Sequence, residues 1–230
     1  MLARVLLGLA LLAATPLISN AAVINGNFET GNLTGWSSLG SAHVTTAAIG
    51  VTPTEGTYQG YIETTGNFTA LSSAIIPFLG LTNSDIMALA QGIPTNGTGL
   101  SQDVTVSAGD TLTFDWNFLT DELDEEATFN DFGFLVVNGT AFLLASRNTS
   151  TFDTTSPPAG FDGQTGWMSD SYTFGTAGTF KIGFGVFNVG DSGHNSVLLI
   201  DNVNLPVPEP GTFVLLALAL PVMILRKCRK

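Results

Sequence analysis

The sequence predicts an all-β sandwich, and three observations carry that prediction. Short apolar runs recur along most of the 230 residues, many of them alternate with polar residues, and Gly, Asn, Ser and Thr fill the stretches between them. Alternation with a period of two indicates strands that are buried on one face. Turn-rich connections between many short strands favour two packed antiparallel sheets.

The first 21 residues are typical of a secretory signal peptide. Arg4 supplies the positive charge, residues 5–14 form an apolar run, and Pro16 ends that run. Small residues up to Ala21 then offer a cleavage site. An uncleaved membrane anchor is the alternative, although the apolar run is short for a span. We therefore expect export and a mature chain that begins at residue 22.

The mature N-terminus combines strand-like and turn-like residues. Val23-Ile24 is strand-like, and the Gly and Asn residues that follow mark turns. The stretch Asn25-Gly26-Asn27-Phe28-Glu29, followed by Gly35-Trp36, resembles the opening of jelly-roll sandwiches of the carbohydrate-binding-module type. The resemblance implies a jelly-roll-like β-sandwich for the body of the chain.

The remaining strands are predicted from alternation and from turn residues. Ala108-Gly109-Asp110 separates two strands, and Asn138-Gly139 is a favoured two-residue hairpin turn. The predicted strands are 104–106, 112–116, 132–137, 141–144, 171–174, 180–189 and 197–205.

One short helix interrupts this pattern. Residues 84–91 can form a helix that Thr82, Asn83 or Ser84 caps and that Gly92 follows. We expect the helix to act as a lid over one edge or end of the sandwich.

The C-terminus has a three-part order. Pro208-Glu209-Pro210 is followed by the apolar run 211–225 and then by a basic cluster made of Arg226, Lys227, Arg229 and Lys230. A helix of about 15 residues spans about 22 Å, less than the roughly 30 Å of a bilayer core, and the cations after it stay cytoplasmic. An ordinary C-terminal anchor is one interpretation.

The same order resembles the PEP-CTERM sorting signal, closely so over residues 207–230. A segment of the body, residues 97–137, also resembles one found in exported PEP-CTERM proteins. The resemblance implies a Gram-negative bacterium and processing near Pro208-Glu209-Pro210 by an exosortase. It also implies an intermediate held in the inner membrane by a transmembrane helix, before the protein reaches the cell surface or the extracellular matrix.

These ends set the expected domain boundaries. Residues 1–21 are the signal peptide, 22–205 a single β-sandwich ectodomain, and 206–230 the sorting signal with its transmembrane helix and basic tail. The one cysteine, Cys228, lies in that tail, so the ectodomain has no disulfide framework.

The charge between the two ends is strongly acidic. The chain has seven Lys and Arg against nineteen Asp and Glu. Only Arg147 and Lys181 among the basic residues lie outside the terminal segments, whereas Glu209 is the one carboxylate within them. Such a surface repels nucleic acid and anionic lipid headgroups, so we expect no nucleic-acid partner. It suits cation binding or simple solubility outside the cell.

An acidic loop is the sharpest local feature. Five carboxylates fall within residues 121–126, and Asp131 follows shortly after. Bound Ca²⁺ would relieve their repulsion because calcium takes six to eight oxygen ligands. Asp121, Glu122 and Asp131 are the best candidates, since they lie at strand ends where side chains are held. A solvated, mobile acidic loop is the alternative.

The resemblance to carbohydrate-binding modules implies a second calcium site. In those jelly rolls an acidic residue near the first strand and an Asp in the last strand share a structural calcium. The matching positions are Glu29 and Asp201, with Asn27 nearby. A carboxylate beside the core is costly unless it is paired or metal-bound. Hydrogen bonding of Asp201 to backbone amides is the alternative.

Aromatic residues that can stack on sugar rings are the candidate ligand contacts. Trp167 lies near a loop and is the best exposed candidate, and Tyr58 and Tyr61 lie on opposite faces of one predicted strand. Trp36 and Trp116 are predicted to point into the core. Core packing is the favoured interpretation for Trp167 as well.

The sequence predicts no enzyme. No Gly-x-Ser-x-Gly elbow accompanies His43 or His194, and no phosphate-cradling glycine loop precedes a helix. The leading interpretation is an exported, non-catalytic module that binds extracellular polysaccharide or packs structurally in a matrix. A protein-binding adhesion or assembly module is the first alternative. A glycoside hydrolase is the second, because its paired acids meet only in space.

Overall fold

The computed structural model describes residues 22–66 and 68–206. The predicted signal peptide, and the sorting signal with Pro208-Glu209-Pro210, the transmembrane helix and the basic tail, therefore lie outside the described residues. Within the described ranges no single helix is long and apolar enough to cross a membrane. The two short helices pass that test only when counted together, across a bend of 116°.

The described residues form twelve strands. In chain order they are β1 (Ser37–Leu39), β2 (Ser41–Thr45), β3 (Gln59–Glu63), β4 (Ala70–Leu71), β5 (Pro94–Val106), β6 (Thr111–Thr120), β7 (Phe132–Val137), β8 (Thr140–Ser146), β9 (Gly163–Gln164), β10 (Met168–Thr173), β11 (Gly178–Val189) and β12 (Ser196–Asn204). The first sheet has the order β1-β5-β11-β7-β8, with β4 also paired to β5. The second has the order β10-β6-β12-β3-β2, with β9 also paired to β6.

The two sheets enclose one main core, as the alternation predicts. Phe114, Trp116 and Phe118 from β6 pack in the same buried cluster as Phe184 from β11 and Leu198 from β12. The predicted turns are confirmed as well: Gly109 has a φ of 93°, and Asn138 and Gly139 both have positive φ between β7 and β8. The prediction of an all-β sandwich is confirmed.

The prediction of one short helix is wrong in number. The described residues contain α1 (Ser72–Phe78) and α2 (Asn83–Ala90), together with a 3₁₀ turn at Ala47–Ile49. The expected helix is α2, and the Asp85 carboxylate accepts hydrogen bonds from the amide and hydroxyl of Thr82 at its start. Helix α1 has seven residues and contains Pro77, which argues against a helix in the sequence.

The helices cover a face of the sandwich, not an edge or end as we expected. Ile75, Leu79 and Ile86 pack on a second buried cluster that includes Phe134 and Phe187 on the outer face of the first sheet. Strand β7 is therefore buried on both faces, which explains its uninterrupted apolar run.

A loop covers part of the outer face of the second sheet. Residues 46–58 cross it, and Val51 packs with Tyr61, Leu119 and Leu199 in a third apolar cluster. The Gln59 amide nitrogen donates to the carbonyl of Val51 at 2.9 Å. Both outer faces of the sandwich thus carry a partial cover, and the outer face of the second sheet stays open around Thr113 and Asp115.

The first described residues form turns, which corrects the strand-like interpretation of Val23-Ile24. The Gln102 side chain substitutes for a strand partner: it accepts from the Ile24 amide at 2.7 Å and donates to the Ile24 carbonyl at 3.0 Å. The Val203 amide donates to the Gly26 carbonyl at 3.0 Å. The beginning and the end of the described chain therefore lie side by side.

Candidate functional site

A cleft opens along one edge of the sandwich, between β8, an edge strand of the first sheet, and β10, an edge strand of the second sheet. Its volume is about 560 Å³, within the range of small-molecule sites. Leu144 comes from β8, Trp116 and Met168 are register partners on β6 and β10, and Phe152 comes from the segment after β8. Polar residues complete the lining, namely Ser150, Thr151, Asp153 and Thr165. The cleft combines an apolar wall with hydroxyl and carboxylate groups.

The large apolar side chains along this edge are partly open to solvent. Met168 is 48% exposed and Phe142 is 38% exposed. The Phe142 ring lies 5.6 Å from the Tyr172 ring across the edge. The Trp116 indole is buried, and its Nε1 donates to the Asp170 carboxylate at 2.8 Å, which fixes the back of the cleft.

The aromatic residues predicted as ligand contacts do not gather in one place. Trp167 is half-buried against the third apolar cluster and donates through Nε1 to the Thr52 carbonyl at 2.8 Å. Tyr61 is buried in that cluster, whereas Tyr58 precedes β3 and packs against the main core. Trp36 and Trp116 are core residues, as predicted. A role in ligand binding for Trp167, Tyr58 and Tyr61 stays a prediction.

The residues of the implied Glu29–Asp201 calcium site hold one loop by hydrogen bonds. Asp201 Oδ2 accepts from the amides of Thr54 and Glu55 at 2.8 and 3.0 Å. Glu29 Oε1 accepts from the amides of Thr57 and Tyr58, each at 2.8 Å.

The other groups near that implied site are also hydrogen-bonded. Asp201 Oδ1 accepts from the Asn202 amide at 2.7 Å, and Asn27 Oδ1 accepts from the Glu29 amide at 3.4 Å. Burial raises the pKa of Asp201 in spite of its hydrogen bonds. Amide binding, the alternative for Asp201, is what the geometry shows, and calcium there stays a prediction.

Two of the three acidic-loop candidates meet in the interior. Glu122 follows β6, Asp131 precedes β7, and both side chains are fully buried. Burial and the nearby Asp191 raise the pKa of Glu122 to about 7. Burial and Glu122 raise the pKa of Asp131.

Asp121 is partly exposed and has other partners. Its Oδ1 accepts from the Asn195 amide at 2.5 Å and lies 3.5 Å from Nδ1 of His194. Nε2 of the same imidazole lies 3.4 Å from the Glu125 carboxylate. Within residues 22–66 and 68–206, no three Asp, Glu, His or Cys side chains form a group that could hold a metal ion.

Sequence reasoning missed the residues that line the edge cleft. One signal in the sequence was the pair Trp167-Met168. Neighbouring residues on a strand point to opposite faces, so one large side chain of this pair had to face the edge of the sandwich. Trp167 turns to the covered outer face, so Met168 faces the cleft. The approach of Phe152 and Leu144 to that side chain depends on long-range packing that no local pattern encodes.

Comparisons with known proteins locate no family. No protein-family model matches the chain, and no curated protein matches it in sequence. Among solved structures, TmCBM61 in complex with β-1,4-galactotriose is 16% identical, with 80% of this chain and 95% of that chain covered and a TM-score of 0.41.

Two further solved structures have similar values. The K3 cleaved adhesin domain of Lys-gingipain from Porphyromonas gingivalis is 18% identical over 81% of this chain and 99% of that chain, with a TM-score of 0.43. CBM27-1 of Caldicellulosiruptor saccharolyticus in complex with mannohexaose is 10% identical over 82% and 96%, with a TM-score of 0.41.

Proposed function

We propose that this chain is an exported, non-catalytic module that binds a polysaccharide in the edge cleft between β8 and β10. The lining of the cleft carries the proposal. Sugar rings have apolar faces that pack on aromatic or aliphatic side chains, and hydroxyl groups that need hydrogen-bond partners at the rim. Met168 and Phe152 offer the first, and Asp153 and the exposed Thr151 offer the second.

The charge of the module narrows the class of polymer. Arg147 and Lys181 are the only Lys and Arg residues in the described ranges, and the carboxylates far outnumber them. A polymer rich in uronic acids would be repelled unless cations bridge the two surfaces. Neutral polysaccharide is therefore the favoured ligand class.

Export and sorting form the second half of the proposal. The signal peptide, the motif Pro208-Glu209-Pro210, the apolar run and the basic tail support exosortase processing after an inner-membrane intermediate. The final location would then be the cell surface or extracellular matrix of a Gram-negative bacterium. Replacing Pro208-Glu209-Pro210 with alanines should leave the protein in the inner-membrane fraction; unchanged surface delivery would contradict the sorting proposal.

A matched pair of methionines tests the binding site. Met168 in the cleft is 48% exposed, and Met87 on α2 is 47% exposed on another face. The purified protein is mixed with the extracellular polysaccharide of its host, and affinity is measured by isothermal titration calorimetry. We expect Met168→Ala to weaken binding about tenfold and Met87→Ala to leave it unchanged. Equal binding by both variants and the native chain would reject this cleft, and no binding by the native chain would reject that polymer.

A protein-assembly role is the second candidate, and several exposed apolar side chains favour it. Phe68, Leu71 and Ile93 are 78%, 67% and 72% exposed, and Met87 lies beside Ile93 in a groove of about 340 Å³. Exposed apolar patches of this kind mark interaction surfaces. Under this alternative Met87→Ala, not Met168→Ala, should reduce self-association in analytical ultracentrifugation.

A further inference from the structure

Buried polar groups from both sheets meet at one end of the sandwich. Thr64 follows β3, Asp131 precedes β7, Asn188 lies near the end of β11, and the connection from β11 to β12 contributes the His194 carbonyl. Thr64, Asp131 and Asn188 are each 0% exposed. Buried polar side chains are retained at a cost, so each needs a partner that satisfies it.

Asn188 occupies a special position in its strand. It continues the inward-facing row of Ile182, Phe184 and Val186, where an apolar residue is expected. The pairing of β11 with β5 shifts register between Phe187 and Val189, that is, at Asn188. Such irregularities re-aim side chains and are frequent next to functional sites.

The oxygen of the Asn188 amide points at other oxygens. It lies 2.5 Å from Asp131 Oδ2, 2.9 Å from Thr64 Oγ1, and 3.2 Å from both Asp131 Oδ1 and the His194 carbonyl. Of these groups the Thr64 hydroxyl can donate a hydrogen bond, and its proton has the His194 carbonyl as an acceptor at 3.4 Å. Asp131 can donate to the Asn188 oxygen only when its carboxyl group is protonated, which its raised pKa favours.

Exchanging the nitrogen and oxygen of the Asn188 amide would satisfy Asp131 and the His194 carbonyl but would create a smaller conflict at Asn96. In the present orientation Asn188 Nδ2 donates to Asn96 Oδ1 at 3.3 Å, and Asn96 Nδ2 donates to the Thr64 carbonyl at 2.6 Å. After the exchange, the Asn188 oxygen would face Asn96 Oδ1. Turning Asn96 as well would set its oxygen against the Thr64 carbonyl. A cation among the oxygens resolves the conflict without either exchange.

The oxygen separations fit a calcium coordination sphere. Calcium binds oxygen at about 2.3–2.6 Å in pentagonal-bipyramidal geometry, so neighbouring ligand oxygens lie about 2.8–3.4 Å apart. Three of the four separations from the Asn188 oxygen, at 2.9, 3.2 and 3.2 Å, lie in that range, and the fourth, 2.5 Å to Asp131 Oδ2, is shorter. The donor set of carboxylate, amide, hydroxyl and carbonyl oxygens is also the one that calcium takes.

Glu122 is an independent sign that a cation belongs here. Its carboxylate approaches Asp131, is fully buried, and neither of its oxygens completes a hydrogen bond of ordinary geometry. A buried carboxyl group whose neighbour is another carboxyl group must share a proton with it or bind a cation, and a cation beside Asp131 would satisfy both.

We propose that Asp131, Asn188, Thr64 and the His194 carbonyl bind one Ca²⁺, with Glu122 completing the site. Only Asp131 and Glu122 among these residues are acidic, and the other ligands are neutral oxygens. The bound ion joins the ends of β3, β6, β7 and β11, and therefore ties the two sheets together at this end. The site includes two of the three acidic-loop residues and adds ligands that the loop sequence does not contain.

The competing arrangement is a metal-free one in which protons and turned amides satisfy the same groups. The two arrangements differ in their response to Asp131→Asn. In the metal-free arrangement the native protein does not respond to calcium, so the substitution only removes a buried acid. In a calcium site it removes the charged ligand, so the response to calcium disappears even where the metal-free protein folds well.

The test is calcium binding to the full chain after removal of metal with EDTA. Calorimetric titration and thermal melting should show one Ca²⁺ per chain, a Kd of about 10⁻³ M or tighter as for extracellular modules, and a rise in Tm. Magnesium at equal concentration should have a much smaller effect. Absence of any calcium response in the native chain would overturn the proposal.

Substitutions of the proposed ligands test where the calcium ion binds. Asp131→Asn and Asn188→Leu should each weaken calcium binding at least tenfold, whereas Asp103→Asn, an exposed control, should leave it unchanged. If Asn188→Leu fails to fold, Asp131→Asn carries the test because it preserves shape. Native-like affinity in Asp131→Asn would overturn the site, and loss of binding in Asp201→Asn alone would assign the ion to the Glu29–Asp201 position instead.

Discussion

Trp167 holds the loop 46–58 against the second sheet: its indole Nε1 donates to the Thr52 carbonyl at 2.8 Å. The ring packs on the third apolar cluster beneath the loop. One side chain thus supplies both an apolar contact and a hydrogen bond to a segment that has little secondary structure of its own.

Substitutions of Trp167 separate the two contributions. Trp167→Phe removes the donor and keeps an aromatic ring, so we expect a loss of about 1 kcal/mol in the free energy of unfolding. Trp167→Ala also removes the packing and should cost about 2–3 kcal/mol. Urea unfolding measures both values. An alanine variant within about 0.5 kcal/mol of the native chain would contradict the role of the indole as a loop anchor.

The Asp201 carboxylate should be a larger contributor to stability than an exposed carboxylate. Asp201→Ala leaves the amides of Thr54, Glu55 and Asn202 without their acceptor, which should cost about 2–3 kcal/mol. Asp103→Ala, at an exposed site, should stay within about 0.5 kcal/mol. Urea unfolding in EDTA and in calcium would show whether the loss depends on metal; dependence would support the implied Glu29–Asp201 calcium site.

The buried Tyr61 phenol should make the stability of the fold depend on alkaline pH. Burial, and then the Glu63 carboxylate, raise the pKa of the Tyr61 phenol above its usual range. Since the unfolded chain loses this proton at about pH 10, stability must fall as pH rises beyond that value. Tyr61→Phe should show a shallower fall in urea-unfolding free energy above about pH 10. A parallel fall in both proteins would contradict the shift.

Gly185 tests the packing between the first sheet and its helices. A Cβ at this position would lie 2.2 Å from the Phe134 ring, which in turn stacks on Phe187 at 5.5 Å. Gly185→Ala should therefore cost at least about 1–3 kcal/mol through overpacking. Gly175→Ala is the control, because nothing lies within 4 Å of its added Cβ. Thermal melting that ranks the two variants equally would refute this account.

The fold was predictable where one local pattern decides the outcome. The hairpin at Asn138-Gly139 and the inward row of Phe114, Trp116 and Phe118 follow from turn chemistry and from a period of two. Helix α1 was not predictable, because it is short and contains Pro77. Burial of Ile75 against the sheet stabilises this helix, and intrinsic helix propensity does not.

The candidate sites were predictable only in part, because spatial pairing is absent from the sequence. The acidic loop pointed to Glu122 and Asp131, which do meet. Thr64 and Asn188 are distant from them along the chain and became visible only through the contacts. The one signal in the sequence was Asn188, a polar residue that continues the inward-facing apolar row of β11. Trp167 was the best candidate for an exposed aromatic, although core packing was favoured for every Trp, and the crossing loop is what half-buries it.

Gly26 and Val203 lie side by side, so the described chain begins and ends at the same end of the sandwich. This determines which end of a tethered molecule would point outward and which strand would bear a pulling force. Strand β12 runs between β6 and β3 for nine residues, about 26 Å, from Ser196 near Thr64 to the C-terminal end. A tether attached after Leu205 would hold the molecule at that end, so the end with Thr64 and Asn188 would point outward. Mechanical tension on the tether would enter through β12, and the proposed ion secures the ends of the two strands that flank it, β3 and β6.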